Sequence, residues 1–382
     1  MAVIPENSTD QRFPSDVYGN RLERVSALAR DSGLDGVLVT PGPDLRYLTG
    51  SRAESFERLT CLVVPSSGAT PSVVLPKLEL ASLGGSATAD LRLRVLDWVD
   101  GQDPYAIVVD ALGGGRRVAV ADAMPALHLV PLADAFGALP ILATGVLRQL
   151  RMIKDDSEIE ALRRAGAAID RVHARMASIL RVGRTEAEVG ADIAAAILEE
   201  GHVGVDFTIV GSGPNGASPH HDVSARVVEA GDVVVVDIGG ETATGYRSDC
   251  TRTYAVGQAP GADVAEWYGV LQQAQAAAVA AVRPGVPAEE IDAVARRVIT
   301  DAGYGEHFIH RTGHGIGLDT HEAPYIVEGN DLPLVAGMAF SVEPGIYLPG
   351  RCGARIEDIA VCTAEGGERL NLTTRELVVV DL

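Results

Sequence analysis

The sequence is poor in cysteine and in aromatic residues, and it has no long hydrophobic run. The four cysteines among 382 residues form no CxxC pair, which argues against a disulfide framework or a zinc knuckle and fits a reducing compartment. No stretch approaches the roughly 18 apolar residues that a membrane span needs. The N-terminus also lacks a basic segment followed by an apolar run. These absences predict a cytoplasmic protein that does not enter the membrane.

Basic residues are also scarce relative to acidic ones. The chain has 32 lysines and arginines against 52 aspartates and glutamates, which gives a formal net charge of -20 at pH 7. A charge of this size and sign repels nucleic acid and anionic membrane surfaces. We therefore expect a small or neutral ligand as the partner, with no nucleic acid and no membrane.

Apolar residues are plentiful, at 47% of the chain, so a protein of this length can bury two cores. From residue 18 to about 150, short apolar runs alternate with helix-like segments. That alternation is typical of an α/β layer domain. The apolar runs include GVLVT at 36–40, CLVVP at 61–65 and RVAVA at 117–121.

A polar stretch at 152–158 separates this region from the rest of the chain. Within it, Ser157 and Glu160 have the spacing of a capping box at the start of a long helix. We therefore predict an N-terminal domain over residues 1–150 and a second domain over residues 151–382.

The second domain contains an internal duplication. Residues 181–201 align without gaps with residues 283–303, at an offset of 102. Chance similarity between two alanine-rich helices is the alternative for these segments taken alone.

The similarity continues downstream of the repeated helices. The segment AGDVVVVDIGG at 230–240 resembles AGMAFSVEPGI at 336–346, and this sets Asp237 against Glu343. Two similar halves that face each other would bring these carboxylates together. The matching acids also argue against chance similarity.

Four acids lie in strand-like apolar runs, two in each half of the duplication: Asp237, Asp249, Glu343 and Glu357. Any one of them alone could be a surface residue at a strand end. Together, four buried carboxylates would repel one another unless cations lay between them, and a pair of divalent ions supplies that charge. His314, in a glycine-rich segment that allows close backbone approach, is a fifth candidate ligand. This oxygen-rich set suits manganese or cobalt at least as well as zinc.

Several segments resemble one family, the creatinase/aminopeptidase P/prolidase metallopeptidases with the pita-bread fold. The resemblance implies an α/β (α+β) fold in which a smaller creatinase-like α/β N-terminal domain precedes a pita-bread catalytic domain with a pseudo-twofold duplication. It also implies a homodimer. The segments are VDIGGxxxxGYxSDxTRT at 236–253, HRTGHGIGLDTHE at 310–322, SVEPGIY at 341–347, RIED at 355–358, KDDSEIEALRRA at 154–165 and PDLRYLTG at 43–50.

The resemblance also implies a ligand set. It assigns two divalent metal ions to Asp237, Asp249, His314, Glu343 and Glu357, with Asp249 and Glu357 bridging the ions. All five residues are present. Non-catalytic and metal-free relatives, including creatinase itself, lack part of that set, so its completeness argues for metal-dependent hydrolysis.

Further catalytic and substrate-binding roles come from the same resemblance. It assigns proton transfer to Glu343 and contacts with the substrate or its tetrahedral intermediate to His220 and His321. His221 is the alternative to His220, although the proline before His220 matches the family pattern. Arg355 either binds the substrate's carboxylate end or neutralises the carboxylate cluster.

The leading functional prediction is an Xaa-Pro dipeptidase. Its alternatives are an aminopeptidase P that accepts longer peptides and a dipeptidase without a strict proline requirement. Methionine aminopeptidases share the ligands but usually lack this N-terminal domain. Asp44 matches a position that in some relatives reaches a neighbouring subunit's active site, and a helix N-cap is its alternative.

Two other signals lead to no functional prediction. The motif GSGPNG at 211–216 fits a dinucleotide-binding loop, but Pro219 falls where a helix should continue. The remaining histidines have no partner pattern, and we interpret them as surface or core residues: His128, His173, His202, His307 and His310.

Overall fold

Residues 12–54 and 57–381 are described in the structure, a computed structural model in which the chain divides into two units, Met1–Arg151 and Met152–Leu382. None of the helices in these ranges combines the length and the hydropathy needed to cross a bilayer. All four cysteines are buried thiols.

Strands and helices alternate through the first unit, as the sequence predicts. They form one mixed sheet in the order β4-β3-β2-β1-β5-β6, and the apolar runs GVLVT, CLVVP and RVAVA each contain a strand. The elements are α1 Ser15–Asp31, β1 Gly36–Val39, α2 Pro43–Thr49, β2 Cys61–Pro65, β3 Ser72–Pro76, β4 Arg94–Trp98, α3 Pro104–Ala111, β5 Val118–Val120, α4 Ala126–Phe136, β6 Ile141–Leu142 and α5 Thr144–Met152, with a 3-10 helix at Lys77–Leu83.

Asp44 lies inside the first turn of α2 rather than at its N-cap, which is Gly42. The N-cap alternative is therefore wrong. The Asp44 carboxylate forms an ion pair with Arg151 of the same unit, at 2.8 Å from Nη1 to Oδ1. A role for Asp44 at a neighbouring subunit's site stays a prediction.

The second unit is built on two larger sheets and a hairpin. The sheets have the strand orders β17-β9-β8-β7 and β11-β10-β12-β15-β16, and the hairpin is β13-β14. The elements are α6 Asp156–Ala174, α7 Met176–Ile179, α8 Glu186–Glu199, β7 His202–Ser212, β8 Val233–Thr242, β9 Arg247–Val256, α9 Ala262–Ala281, α10 Ala288–Asp301, β10 Gly313–Gly315, β11 Glu322–Ile326, β12 Ala339–Val342, β13 Gly345–Leu348, β14 Cys352–Arg355, β15 Asp358–Cys362, β16 Gly367–Arg369 and β17 Val378–Val380, with 3-10 helices at Gly213–Ala217 and Gly305–His307.

The predicted duplication is present in the backbone. Helices α8 and α10 begin and end at the same offset of 102 residues as the sequence repeat. Before α8, the N–H of Gly183 donates to the carbonyl of Val228, and before α10 the N–H of Gly285 donates to the carbonyl of Leu334. Both glycines have positive φ, 87° and 86°, a conformation that favours glycine. The two halves therefore repeat the turn as well as the helix.

The capping box of the long helix α6 lies two residues earlier than predicted. Its N-cap is Asp155, and the capping box joins Asp155 to Glu158, so the prediction of Ser157 with Glu160 is wrong. Asp is as good an N-cap as Ser, and Glu158 lies at the N3 position from which its carboxylate reaches the N–H of Asp155. The hydroxyl of Ser157 donates instead to the Asp155 carboxylate.

Candidate metal centre

Adjacent antiparallel strands present the first two candidate ligands. Asp237 lies on β8 and Asp249 on β9, where Asp249 pairs with Gly239 and Asp237 pairs with Thr251. Because residues two apart on a strand share a face, this register places both carboxylates on one face of the sheet. Both residues are buried.

The second half of the duplication supplies the other three candidates. His314 lies on β10, Glu343 follows β12, and Glu357 lies between β14 and β15. A Cβ atom on Gly313 would lie 1.8 Å from the carbonyl oxygen of Ser341, so only glycine lets β10 pack this closely beside β12. The glycines around His314 therefore position the imidazole, as the sequence indicates.

The five side chains converge. Asp249, His314 and Glu357 offer ligand atoms that all lie within 4.8 Å of one another. The His314 Nε2 atom is 3.2 Å from Glu343 Oε1 and 3.7 Å from Asp249 Oδ2. Arg355 links Asp237 to the cluster. Its Nη2 atom is 2.5 Å from Asp237 Oδ2, and its Nε atom is 4.0 Å from Glu343 Oε2.

Two oxygens of this cluster test whether a cation fits. Asp237 Oδ1 and Glu357 Oε1 are buried, and neither has a hydrogen-bond partner among the described residues. A buried carboxylate oxygen without a partner is costly. The donor set of four carboxylates and one imidazole is one that divalent ions bind. The residues therefore fit a metal centre.

The electrostatics of the cluster lead to the same conclusion. Burial, together with the negative charge of its neighbours, raises the pKa of Asp249 and the pKa of Glu357 well above their ordinary values. Burial also opposes ionisation of Glu343, but the hydrogen bond and the charge of His314 outweigh it and lower the pKa of Glu343 to about 2. Bound cations would relieve the repulsion that raises the first two values.

Arg355 is buried and heavily engaged. Its Nη2 donates to Asp237 Oδ2 at 2.5 Å and to the carbonyl of Pro219, its Nη1 donates to the Tyr347 hydroxyl at 2.7 Å, and its Nε donates to Thr251 Oγ1. Most of its donors are therefore used inside the protein. This geometry favours the charge-neutralising alternative for Arg355 over binding of a substrate carboxylate.

The candidate ligands line a cleft of about 990 Å³. His220 and His321 also line it, as does Arg355. The His321 ring packs edge-on against His314, with centroids 4.0 Å apart. Burial and the neighbouring His314 lower the pKa of His321 to about 4, so His321 is neutral at pH 7.

The two adjacent histidines of the 213–224 loop differ in their surroundings. His221 Nε2 lies 2.8 Å from Glu186 Oε2, whereas His220 is exposed on the cleft. The His220 imidazole is thus available to a ligand, whereas the His221 imidazole is hydrogen-bonded to Glu186. The catalytic role of His220 stays a prediction.

Glu186, which the sequence analysis did not single out, organises this loop. It is fully buried in the first turn of α8. Its carboxylate accepts hydrogen bonds from Ser212, Ser224 and Asn215 in addition to the contact with His221. Burial would raise the pKa of Glu186, but the hydrogen bonds from Ser212 and Ser224 outweigh it and lower the pKa to about 2. The ionised carboxylate therefore holds the loop that carries His220.

We expect Glu186→Gln to lower the unfolding free energy by about 3 kcal/mol, because charge-assisted hydrogen bonds are lost and an amide N–H₂ would face other donors. Peptidase kcat/KM should fall by about tenfold at unchanged metal content, since the loop positions His220. Urea unfolding, metal analysis and steady-state kinetics measure the three effects.

The matched control is Glu199→Gln, since Glu199 lies at the other end of α8 in an exposed ion pair with Arg175. It should change stability by less than about 1 kcal/mol. Equal effects of the two substitutions would contradict a positioning role for Glu186.

His310 is a residue that the sequence analysis discounted and that the structure places in the cleft, beside Arg311. Its Nε2 is 2.8 Å from the Tyr347 hydroxyl, and its Nδ1 is 2.7 Å from the Arg311 carbonyl. The interpretation of His310 as a mere surface or core residue is therefore wrong. Its spacing of four residues before His314 is the signal that could have identified it.

Two family models match the chain. Metallopeptidase family M24 matches residues 160–364, and the Creatinase/Prolidase N-terminal domain matches residues 21–153. These matches cover both units.

Curated relatives and solved structures match over nearly their whole lengths. The "Probable dipeptidase PepE" of Mycobacterium tuberculosis is 62% identical over 371 residues, which are 97% of this chain and 98% of that protein. The "Xaa-Pro dipeptidase" of Lactobacillus helveticus is 35% identical over 94% of this chain and 99% of its own. The crystal structure of dipeptidase PepE from Mycobacterium ulcerans superposes with a TM-score of 0.93 at 62% identity, covering 97% of this chain and 100% of that chain.

These matches confirm the predicted pita-bread fold with its creatinase-like N-terminal domain, and they confirm the predicted use of a divalent metal. The chain belongs to metallopeptidase family M24 and carries a creatinase/prolidase N-terminal domain.

Proposed function

We propose that this metallopeptidase is an exopeptidase that hydrolyses Xaa-Pro dipeptides. The observation that carries the proposal is the convergence of all five candidate ligands in one cleft, with two buried carboxylate oxygens unpartnered among the described residues. The names of the relatives support the substrate class, since the Lactobacillus helveticus protein is an Xaa-Pro dipeptidase. A prolidase from Thermococcus sibiricus, 39% identical, has a TM-score of 0.87.

Two divalent ions are proposed at Asp237, Asp249, His314, Glu343 and Glu357. A pair of divalent ions polarises a peptide carbonyl and makes water a nucleophile at neutral pH. Manganese is the proposed metal, with cobalt or zinc as alternatives, because hard carboxylate oxygens dominate the set. Asp249 and Glu357 would both hold the ions, and bound cations would offset the cost of burying these two carboxylates together.

The chain's own residues supply proton transfer and orientation. Glu343 Oε1 accepts a hydrogen bond from Ser341 at 3.0 Å, so the carboxylate has a defined orientation toward the cleft. We propose that it takes the proton of the attacking water and delivers it to the proline nitrogen, which must be protonated as the bond breaks. His220 and His321 are proposed to hydrogen-bond the substrate carbonyl as charge develops on its oxygen. Arg355 is proposed to hold Asp237 in place.

The protein is also proposed to be a cytoplasmic homodimer that has no nucleic-acid or membrane partner. Four buried thiols support a reducing compartment, and the net charge of -20 disfavours anionic polymers and surfaces. The dimer rests on the family resemblance.

An Xaa-Pro aminopeptidase that accepts longer peptides is the second candidate. One observation favours it: the X-Pro aminopeptidase of Thermotoga maritima is 32% identical and superposes with a TM-score of 0.80. The two candidates share the metal centre and differ in the length of peptide that they accept. A dipeptidase without a strict proline requirement is the third.

The test is hydrolysis of Ala-Pro, Ala-Ala and Ala-Pro-Ala by metal-stripped protein, with and without added Mn²⁺. We expect Ala-Pro to be cleaved only when metal is present, with Ala-Ala and Ala-Pro-Ala at least about tenfold slower in kcat/KM. Rapid cleavage of Ala-Pro-Ala would favour the aminopeptidase. Equal rates for Ala-Pro and Ala-Ala would remove the proline requirement, and no cleavage with any metal would refute the proposed function.

A further inference from the structure

Two cations line the cleft, and they differ in how their charge is used. Arg355 is buried against Asp237. Arg311 is half-buried, and it has neither an ion pair nor a side-chain hydrogen bond with any residue that the structure describes. Its charge is available to a ligand.

The Arg311 side chain is nevertheless held in place. Its Cζ lies 4.5 Å from the centroid of the Tyr325 ring, a cation–π contact. Tyr325 on β11 pairs directly with the candidate ligand His314 on β10. The guanidinium therefore contacts a side chain on the strand next to the one that carries His314. Its positive charge is also felt by His321, where it contributes to lowering the pKa after burial and the neighbouring His314.

The Arg311 main chain is held as well, through a hydrogen-bond chain that begins at the metal centre. Arg355 donates to both Asp237 and the Tyr347 hydroxyl. Because that hydroxyl oxygen accepts from Arg355, its proton is directed to His310 Nε2, and the opposite ring nitrogen then donates to the Arg311 carbonyl. Arg311 is thus positioned from both its backbone and its side chain.

Stacking on an aromatic ring uses the face of a guanidinium and leaves its edge. The edge carries the N–H donors, whose spacing matches the two oxygens of a carboxylate. Arg311 lines the cleft with N–H donors that no described residue accepts, whereas most of the donors of Arg355 are already used within the protein.

We infer that Arg311 binds the free α-carboxylate of the substrate's C-terminal residue and so restricts the enzyme to dipeptides. The inference rests on the proposed function, because a dipeptide is the peptide whose α-carboxylate comes within reach when its single peptide bond lies at the metal centre. A longer peptide places a neutral amide at this position and leaves the arginine's charge uncompensated.

The test compares Ala-Pro with alanyl-prolinamide, which lacks only the C-terminal charge, on full-length Mn²⁺-loaded protein. The wild type should show a KM at least about tenfold higher for the amide, the value of one charge-assisted hydrogen-bonded pair. Arg311→Met should raise the KM for Ala-Pro by a similar factor, with kcat changed by less than about twofold, because the carboxylate contact is the same in ground and transition states. The KM for the amide should not change.

Two further variants act as controls. Arg311→Lys keeps the charge but loses the planar fork, so it should restore part of the preference for the free acid. Arg297→Met removes an exposed arginine of α10 outside the cleft, and it should leave both KM values unchanged. Metal content measured for each variant separates a lost contact from a damaged centre.

Several results would overturn the inference. One is an equal rise in KM for acid and amide in Arg311→Met, and another is the absence of a preference for the acid in the wild type. A third is that Arg311→Met loses a preference for Glu-Pro over Ala-Pro while the ratio of KM for Ala-Pro to KM for its amide stays unchanged. That result would assign Arg311 to a side-chain carboxylate of the substrate. If proline proves unnecessary, the same comparison of KM values is made with Ala-Ala and its amide.

If no peptide is cleaved, the proposed function fails. Calorimetric binding of Ala-Pro and its amide to wild type and to Arg311→Met then still tests the carboxylate contact.

Discussion

Glu357→Gln is expected to abolish peptide hydrolysis while making the metal-free protein more stable. The carboxylate is 1% exposed, one of its oxygens has no partner among the described residues, and its other oxygen accepts from Thr251 at 2.7 Å. Loss of this proposed metal ligand should lower kcat/KM by at least about 1,000-fold, since a metal pair contributes several kcal/mol of transition-state stabilisation. In the absence of metal, the neutral amide removes both the buried charge and the repulsion from neighbouring acids, which together raise the pKa of Glu357.

The gain in unfolding free energy of the metal-free variant should be about 1–2 kcal/mol at pH 7, measured by urea unfolding in the presence of a chelator. Metal analysis and kinetics give the other readouts. A variant that is less stable than wild type when both are metal-free would contradict the assignment of Glu357 to a site built for cations.

Asp358, the residue after Glu357, provides a control in which the change in unfolding free energy should have the opposite sign. Asp358 is also fully buried, but it is paired with Arg252 at 2.6 Å, Gln275 at 2.9 Å and Arg369 at 3.1 Å. Asp358→Asn should lower the stability by about 3 kcal/mol, because it leaves the Arg252 charge uncompensated. Its metal content should not change. The contrast between adjacent buried acids separates a metal ligand from a structural ion pair.

In metal-stripped protein, Asp249 and Glu357 are expected to contribute a loss of stability as the pH rises from about 5 to 8, and saturating Mn²⁺ should remove this contribution. The pKa values of Asp249 and Glu357 are raised in the folded protein, by burial first and then by neighbouring charges. Between the ordinary pKa of a carboxyl group, about 4, and these raised values, the folded state binds more protons than the unfolded state. Their contribution to stability therefore falls as pH rises through this window.

Other groups contribute separately. The pKa values of His173, His202, His310 and His321 are lowered, first of all by burial, so these histidines add stability as the pH rises toward about 6.5. The pKa values of Glu186 and Glu343 are lowered to about 2, so their contribution is fully present above pH 5 and is lost only in acid. The contribution of Asp249 and Glu357 is therefore the difference between the wild type and a variant that lacks both. Urea unfolding at several pH values, with chelator or with Mn²⁺, measures the effect. The double variant Asp249→Asn, Glu357→Gln lacks the falling contribution, so its metal-free stability should increase relative to that of the wild type as the pH rises from 5 to 8. A stability difference between metal-free wild type and double variant that stayed constant from pH 5 to pH 8 would refute the linkage.

The ligand set and the duplication could be predicted from the sequence because each leaves a local signal. An acid in an apolar strand is conspicuous, since burial of a single charge is costly. The repeat between α8 and α10 is a similarity of linear order, and the backbone reproduces it at the same offset. Both features depend on which residues occur at which positions, so the sequence alone was enough to predict them.

The choice between equivalent residues could not be predicted in the same way. His220 and His221 are chemically identical neighbours, and in the structure the Glu186 carboxylate, 35 residues away in the sequence, contacts His221. The N-terminus of α6 had two acceptable capping boxes, and the structure uses the earlier one. Both outcomes depend on contacts that a linear pattern does not record.

The sequence by itself was enough to predict the five candidate ligands and the need for a divalent metal, because several acids within apolar strands are costly to bury without cations. The fold was predicted from the family motifs that the sequence carries. Tertiary structure decided which cations remain available to a substrate. Arg355 donates its hydrogen bonds to Asp237 and Tyr347, whereas Arg311 contacts the Tyr325 ring and its N–H donors have no acceptor among the described residues. Two arginines of the same chemistry differ only in what folding places beside them, and that difference arises in three dimensions.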